Sequence, residues 1–175
     1  GLSAGVPHHD PQQSSTWRYI GRGGTDMEKA AGAFFNAWVK AITAGKLSLN
    51  DVRFEAQGTS YAAEGKGERT FEPLAEDTSI RSNVHESTDR LSYSDMLKGL
   101  LASDALVVFG SDDPAYTASK IYPYLLAGKP LLVIFHESSS VVKLMREAGG
   151  GVCVTFNEKM TGEELAIAIM NAWFI

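Results

Sequence analysis

The segment ALVVFGSDDPAYTASKIYPYLLAGKPLLVIF, residues 105–135, sets two apolar runs on either side of a polar loop and a helical stretch. Both runs are continuous rather than alternating, the pattern of strands covered on two faces in a parallel sheet. Parallel neighbours need a crossover, and a helix near 120–127 closed by the turn at Gly128 and Pro130 supplies one. The polar loop SDDPAYTASK then leaves the carboxyl end of a buried strand, where open parallel sheets bind their ligands.

The same rhythm extends in both directions. Upstream lie WRYI at 17–20, a helical pattern over 26–44, VRFEA at 52–56, a long polar connection, a short strand through Val84 and a helix over 92–102. Downstream follow a helix over 141–148, VCVTF at 152–156 and a last helix over 162–173. The expected class is α/β, a three-layer αβα domain with a mostly parallel sheet of about six strands. Thr25 with Glu28, Ser92 with Asp95 and Thr161 with Glu164 have capping-box spacing and mark helix starts. Gly149 to Gly151 read as a left-handed helix end rather than a phosphate loop. Residues 58–89 are the least periodic stretch, with one short helix expected at 72–76.

The chain has 175 residues, enough for one well-buried domain and too few for two Rossmann-like halves of ordinary size. Hydrophobic residues make up 44% and charged ones 21%, an ordinary globular balance. A net charge of -5 disfavours general nucleic-acid binding, so any anion site must be local. No apolar run reaches the roughly 20 residues of a membrane span, and no signal segment is visible. The expected compartment is the cytoplasm. Residues 1–15 read as a flexible tail or linker, with 16–175 as the domain. In that tail, His8, His9 and Asp10 could suggest a metal, but a polar tail is the simpler account. Cys153 stands alone and reads as a small buried hydrophobe.

Three loops at expected strand ends could carry chemistry. In GRGGT, Gly21, Gly23 and Gly24 allow close backbone approach, and Arg22 can fork two hydrogen bonds onto a phosphate. The same residues also fit a surface arginine beside a tight turn. The loop fails as a dinucleotide fingerprint, because Asp26 holds the third glycine position. In SDDPAYTASK, Thr117, Ser119 and Lys120 join hydroxyls, helix-start amides and a cation, a set suited to a pyrophosphate. A plain cap with a solvated Lys120 is the alternative. Asp112 and Asp113 precede Pro114 and read as a turn rather than metal ligands. In HESSS, His136 and Glu137 could pass a proton, or Ser138 or Ser139 could simply cap a helix. His85 with Glu86 is equally ambiguous. Ser-His-Asp order, zinc spacing and a P-loop are lacking.

The stretch SDALVVFGSDDPAYTASKIYPYLLAGKPLLVIFHESSSVVKLMREAGGGV resembles the C-terminal domain of glycosyltransferase family 4 and its GT-B relatives. Ser119, Lys120, Tyr124, Ala127, Gly128, Lys129 and Pro130 match its donor-loop, helix and turn pattern, and WRYIGRGG is similar to its first donor-domain strand and G-R turn. The resemblance implies a Rossmann-like fold, one half of a GT-B fold, that binds a nucleotide-diphosphate sugar without a metal or other cofactor. Arg22 and Lys120 would stabilise the leaving diphosphate. Gly21, Gly23, Gly24, Ser111, Tyr116, Thr117 and Ser119 would contact the donor, and Arg90 would lie near its base. A retaining transfer to an acceptor held by an absent N-terminal domain is the implied reaction, and that domain could also make peripheral membrane contact.

The sequence departs from the family pattern twice. Pro123 replaces the usual ribose-binding glutamate, and Met27 stands where relatives often carry a lysine. An inactive nucleotide-sugar-binding module and a flavodoxin-like interaction domain are therefore the alternative readings.

Overall fold

A computed structural model describes residues 13–116 and 121–175. The tail histidines, Thr117, Ser119 and Lys120 lie outside the described residues. Six strands form one all-parallel sheet: β1 Ser15–Ile20, β2 Val52–Gln57, β3 Val84–Ser87, β4 Ala105–Phe109, β5 Leu131–His136 and β6 Val152–Phe156, in the order β3-β2-β1-β4-β5-β6. Ser15 is the first residue of β1. The order reverses direction between β1 and β4, the topological switch point of the doubly wound fold. A flavodoxin-like sheet would run in a different order, which removes that alternative.

Helix α1, Glu28–Thr43, packs with α6, Gly162–Trp173, and with the short α2, Glu72–Ala75; α3, Tyr93–Leu101, packs with β1 and with α4, Ile121–Leu126. Helix α5, Ser140–Ala148, lies on β5 and β6. Thr161 and Glu164 complete the expected capping box at α6, and Ser92 and Ser139 accept backbone N–H bonds at the starts of α3 and α5. Gly149 closes α5 with φ 62°, as a left-handed end requires. The Thr25–Glu28 box does not form. Gly24, at φ 138°, turns the chain into a 3-10 turn over Thr25–Met27, so Thr25 sits inside that turn and α1 begins only at Glu28.

The sheet buries its apolar runs as expected: every residue of β4 and β5 is buried. On the α1–α6 side the core is aromatic. Phe34 of α1 lies 5.6 Å from Phe54, 5.8 Å from Phe109 and 6.2 Å from Phe174 by ring centroids, and Trp17 meets Trp173 edge-on at 5.7 Å. Such pairs add to the hydrophobic gain of burying the rings. Cys153 is half-buried against this core, not fully enclosed, and burial pushes its thiol up.

Phe34 is fully buried at the centre of this cluster. Phe34→Ala should cost about 3–5 kcal/mol of stability, read as a lowered urea midpoint, because the surrounding rings cannot close the cavity.

Candidate functional site

At the carboxyl ends the strands do not all run equally far together. β1 pairs with β2 up to Ile20 and Gln57, and β4 pairs with β5 up to Phe109 and Ile134. β1 and β4, however, pair at only Trp17 with Ala105 and Arg18 with Leu106. Beyond that point they part, and the loop after β1 and the loop after β4 face one another.

The post-β1 loop holds Arg22. Its Nη1 and Nη2 donate to the two Asp26 carboxylate oxygens at 3.0 and 2.7 Å, and Nη1 also donates to the Gly23 carbonyl at 3.1 Å. The guanidinium lies 4.7 Å from the centre of the Tyr116 ring. Hydrogen bonds from Arg22, and secondarily from the Ser111 hydroxyl, hold the Asp26 carboxyl below its ordinary range, and Asp26 in turn raises Arg22. The fork expected to grip a phosphate is therefore closed on Asp26. Among the described residues, Nε donates no hydrogen bond, and the Tyr116 side chain also bears on the guanidinium through its ring and by hydrogen bonding.

Asp26 also joins the two loops, since its carbonyl accepts the Asp112 N–H at 2.8 Å. Ser111 is buried, with its Oγ accepting from Asp113 N at 3.0 Å, and the Asp113 carboxylate accepts from Ala115 N at 2.9 Å. Asp112 and Asp113 thus sit in the turn expected of them. Tyr19 donates its hydroxyl to the Arg22 carbonyl at 2.7 Å, fixing the loop from below.

The glycines of the loop serve the chain itself. Gly21 N donates to Gln57 O at 3.1 Å, Gly23 N to Thr59 O at 2.7 Å and Gly24 N to Thr70 Oγ1 at 2.8 Å. A Cβ on Gly23 would strike the Thr70 side chain, and one on Gly21 would lie 2.8 Å from the Tyr19 hydroxyl. Tyr19 packs close on Gly21 and Thr70 on Gly23, and these three amides are engaged within the chain.

Thr59 and Thr70 are held in turn by Glu86, which the strand alternation places with Val84 on the covered face of β3. Its carboxylate accepts the Thr59 hydroxyl at 2.6 Å and the backbone N–H groups of Thr70, Phe71 and Glu72 at 2.9, 2.8 and 3.0 Å. His85 points the other way and is exposed. Arg90 is also exposed and stacks 4.2 Å from the centre of the Tyr61 ring.

His136 and Glu137 do not form a pair. His136 is buried, accepts the Ser138 N–H at Nδ1 and meets Glu158 through Nε2 at 2.8 Å, whereas exposed Glu137 accepts from Asn157 at 3.3 Å. With Nδ1 accepting, Nε2 carries the proton and donates to the carboxylate. Met27, at the position of the family lysine, is fully buried with its sulfur 3.5 Å from the Tyr19 hydroxyl. Pro123 is the third residue of the described part of α4.

Of the residues singled out in the sequence, the structure brings Arg22 and Tyr116 together and sets Ser111 beside Asp26, and the sequence reading did not show what positions them. The spacing of four between Arg22 and Asp26 was a signal for the ion pair. A glutamate in step with Val84 on a strand was the signal for Glu86.

No sequence-family model and no curated protein matches the chain. Solved structures do. HepE of Anabaena in complex with UDP-glucose is 16% identical with a TM-score of 0.63 over 90% of this chain and 38% of its own. The GtfA/B complex is 9% identical, TM-score 0.59, over 97% and 29%. Trehalose-6-phosphate synthase OtsA is 12% identical, TM-score 0.57, over 92% and 36%. The chain spans well under half the length of each of these proteins.

Two variants test the site's scaffolding. Glu86→Gln, nearly isosteric, turns a donor NH2 toward groups that themselves donate and should cost about 2–4 kcal/mol in denaturant unfolding. The Asp26 carboxyl titrates lower in the folded chain than in the unfolded one. Its contribution is thus present above about pH 4 and is lost as pH falls through the lower folded value. Asp26→Asn should therefore flatten the loss of stability below about pH 4 in acid titrations followed by circular dichroism.

An all-parallel six-stranded sheet in doubly wound order, superposable over nine-tenths of its length on such enzymes, gives this chain the Rossmann-like fold of one half of a GT-B glycosyltransferase.

Proposed function

We propose that the chain is the donor-binding domain of a glycosyltransferase, holding a nucleotide-diphosphate sugar over the parted ends of β1 and β4. The observation that carries the reading is Arg22, fixed at the switch point by Asp26, Gly23 and Tyr116, with an Nε–H that no described residue accepts. A guanidinium locked in this way can give two parallel hydrogen bonds to a phosphate without first losing side-chain freedom. The neighbour HepE was solved with UDP-glucose, which supports a nucleotide sugar as the ligand class.

On this reading Lys120, Ser119 and Thr117 complete the phosphate contacts from the post-β4 loop, Ser111 and Tyr116 shape that loop, and Arg90 lies toward the base. Arg22 and Lys120 stabilise the charge that gathers on the leaving diphosphate, the step where fixed donors contribute most. Transfer retains configuration and takes place to an acceptor held by a further domain of a longer cytoplasmic protein. That domain supplies the proximity and water exclusion that one half of the fold lacks.

A second reading has its own support. Met27 is sealed in the core where a second cation would be needed, and the Arg22 charge is balanced by Asp26. Both favour a module that binds the nucleotide sugar without turning it over.

A thermal-shift panel of UDP, GDP, ADP and their sugars tests the reading, because a ligand of the native state raises the melting temperature. At least one should do so, and none doing so overturns it. For the nucleotide that binds, Lys120→Ala should weaken affinity by about 1–3 kcal/mol in calorimetry, the scale of charge-assisted hydrogen bonds. Binding without sugar consumption by the longer protein would select the second reading.

A further inference from the structure

Where β1 leaves β4, the last residue of β1 faces a difficulty. Ile20 is buried, yet its N–H and C=O on the β4 side have no strand to meet, since the recorded β1–β4 pairs end at Arg18 with Leu106. Unpaired backbone groups in such a place cost as much as lost hydrogen bonds. One side chain meets both. The Tyr124 hydroxyl donates to Ile20 O and accepts from Ile20 N, each at 2.7 Å.

Tyr124 belongs to α4 and is itself buried, and burial pushes its phenol well up, so the hydroxyl keeps the proton that this double role needs. The phenol thus replaces the missing rung of the ladder while keeping β1 and β4 apart. It also fastens α4 to a residue next to Gly21 and two before Arg22. Tyr19 secures the following step through the Arg22 carbonyl.

We propose that Tyr124 is a positioning residue of the donor site, acting through Ile20 to set Arg22 and to keep the β1–β4 crevice open. This rests on the donor-binding reading given above. No other described side chain bonds to the Ile20 backbone, so on the β4 side this one hydroxyl anchors the point where the loop that carries Arg22 leaves β1.

Tyr124→Phe keeps the ring and removes only the hydroxyl. Tyr122→Phe, on the same helix but exposed, is the control. Both are compared with wild type well below their melting temperatures, by amide exchange at Ile20 and by calorimetric titration with UDP, GDP and ADP. In Tyr124→Phe, exchange at Ile20 should quicken by about tenfold or more. Affinity for the nucleotide that binds wild type should fall by about fivefold or more, the scale of one hydrogen bond. The control should change neither. A purely structural tyrosine would lower the melting temperature and speed exchange but leave affinity intact, and that result overturns the proposal while the donor reading stands. Wild type that binds none of the three nucleotides overturns the donor reading itself, and this role with it. Should Tyr124→Phe not fold, the coupling is read in wild type. A saturating nucleotide should slow exchange at Ile20 beyond any general slowing at Val107, and equal slowing overturns the proposal.

Discussion

A buried carboxylate has to be saturated with donors, and that requirement at Glu86 shapes the carboxyl edge of the sheet from β3 to β1. A charge taken out of water is tolerable only with several charge-assisted hydrogen bonds. Glu86 obtains them by drawing residues 59–72 back across the end of β3, where the Thr59 hydroxyl and three successive backbone amides close on it. The long connection after β2 is thereby held as a structured ledge. Thr59 and Thr70 on that ledge receive the amides of Gly23 and Gly24, so the post-β1 turn takes its form from a residue two strands away. Arg22 stands at the end of this chain of dependence. Its position rests on Glu86 through the threonines, on Asp26 and Tyr116 directly, and on the two tyrosines beneath it.

The central strands were legible because burial on both faces gives continuous apolar runs. β4 falls on its run, β5 falls on its run and adds His136, and α6 matches its capping box. The start of α1 was not legible. A glycine at φ 138° and a 3-10 turn outweighed the Thr25–Glu28 spacing, and nothing in the local composition signals that conformation. Of the polar connection only the short helix expected at 72–76 was legible, found as α2, Glu72–Ala75, and the rest was not, for a related reason. Its organisation comes from contacts with Glu86 and the post-β1 loop, which lie far away in sequence and have no period.

At the site the sequence indicated which residues gather but not how their valences are used. Arg22, Ser111 and Tyr116 do meet at the switch point. The glycines spend their amides on Gln57, Thr59 and Thr70, and the arginine spends its terminal fork on Asp26. A motif names donors, whereas only the fold decides which of them are already taken. His136 shows the same limit, since its neighbour in sequence lies across the strand and its actual partner, Glu158, comes from beyond β6.

The pairing of Arg22 with Asp26 alters what the crevice can offer an anion. An ion pair closed at 2.7 Å exerts little pull at a distance, so it adds little to steering. On the donor-binding reading, the Nε side of the guanidinium keeps its direction at contact, and a planar two-point donor favours a ligand that presents two oxygens at the matching spacing. Such a site discriminates by geometry more than by charge. Met27 deepens the effect, because a thioether packed under Tyr19 contributes nothing to neutralisation. On the donor-binding reading, the charge of a leaving diphosphate therefore falls to the post-β4 loop that carries Lys120, while Arg22 sets the orientation in which that charge arrives.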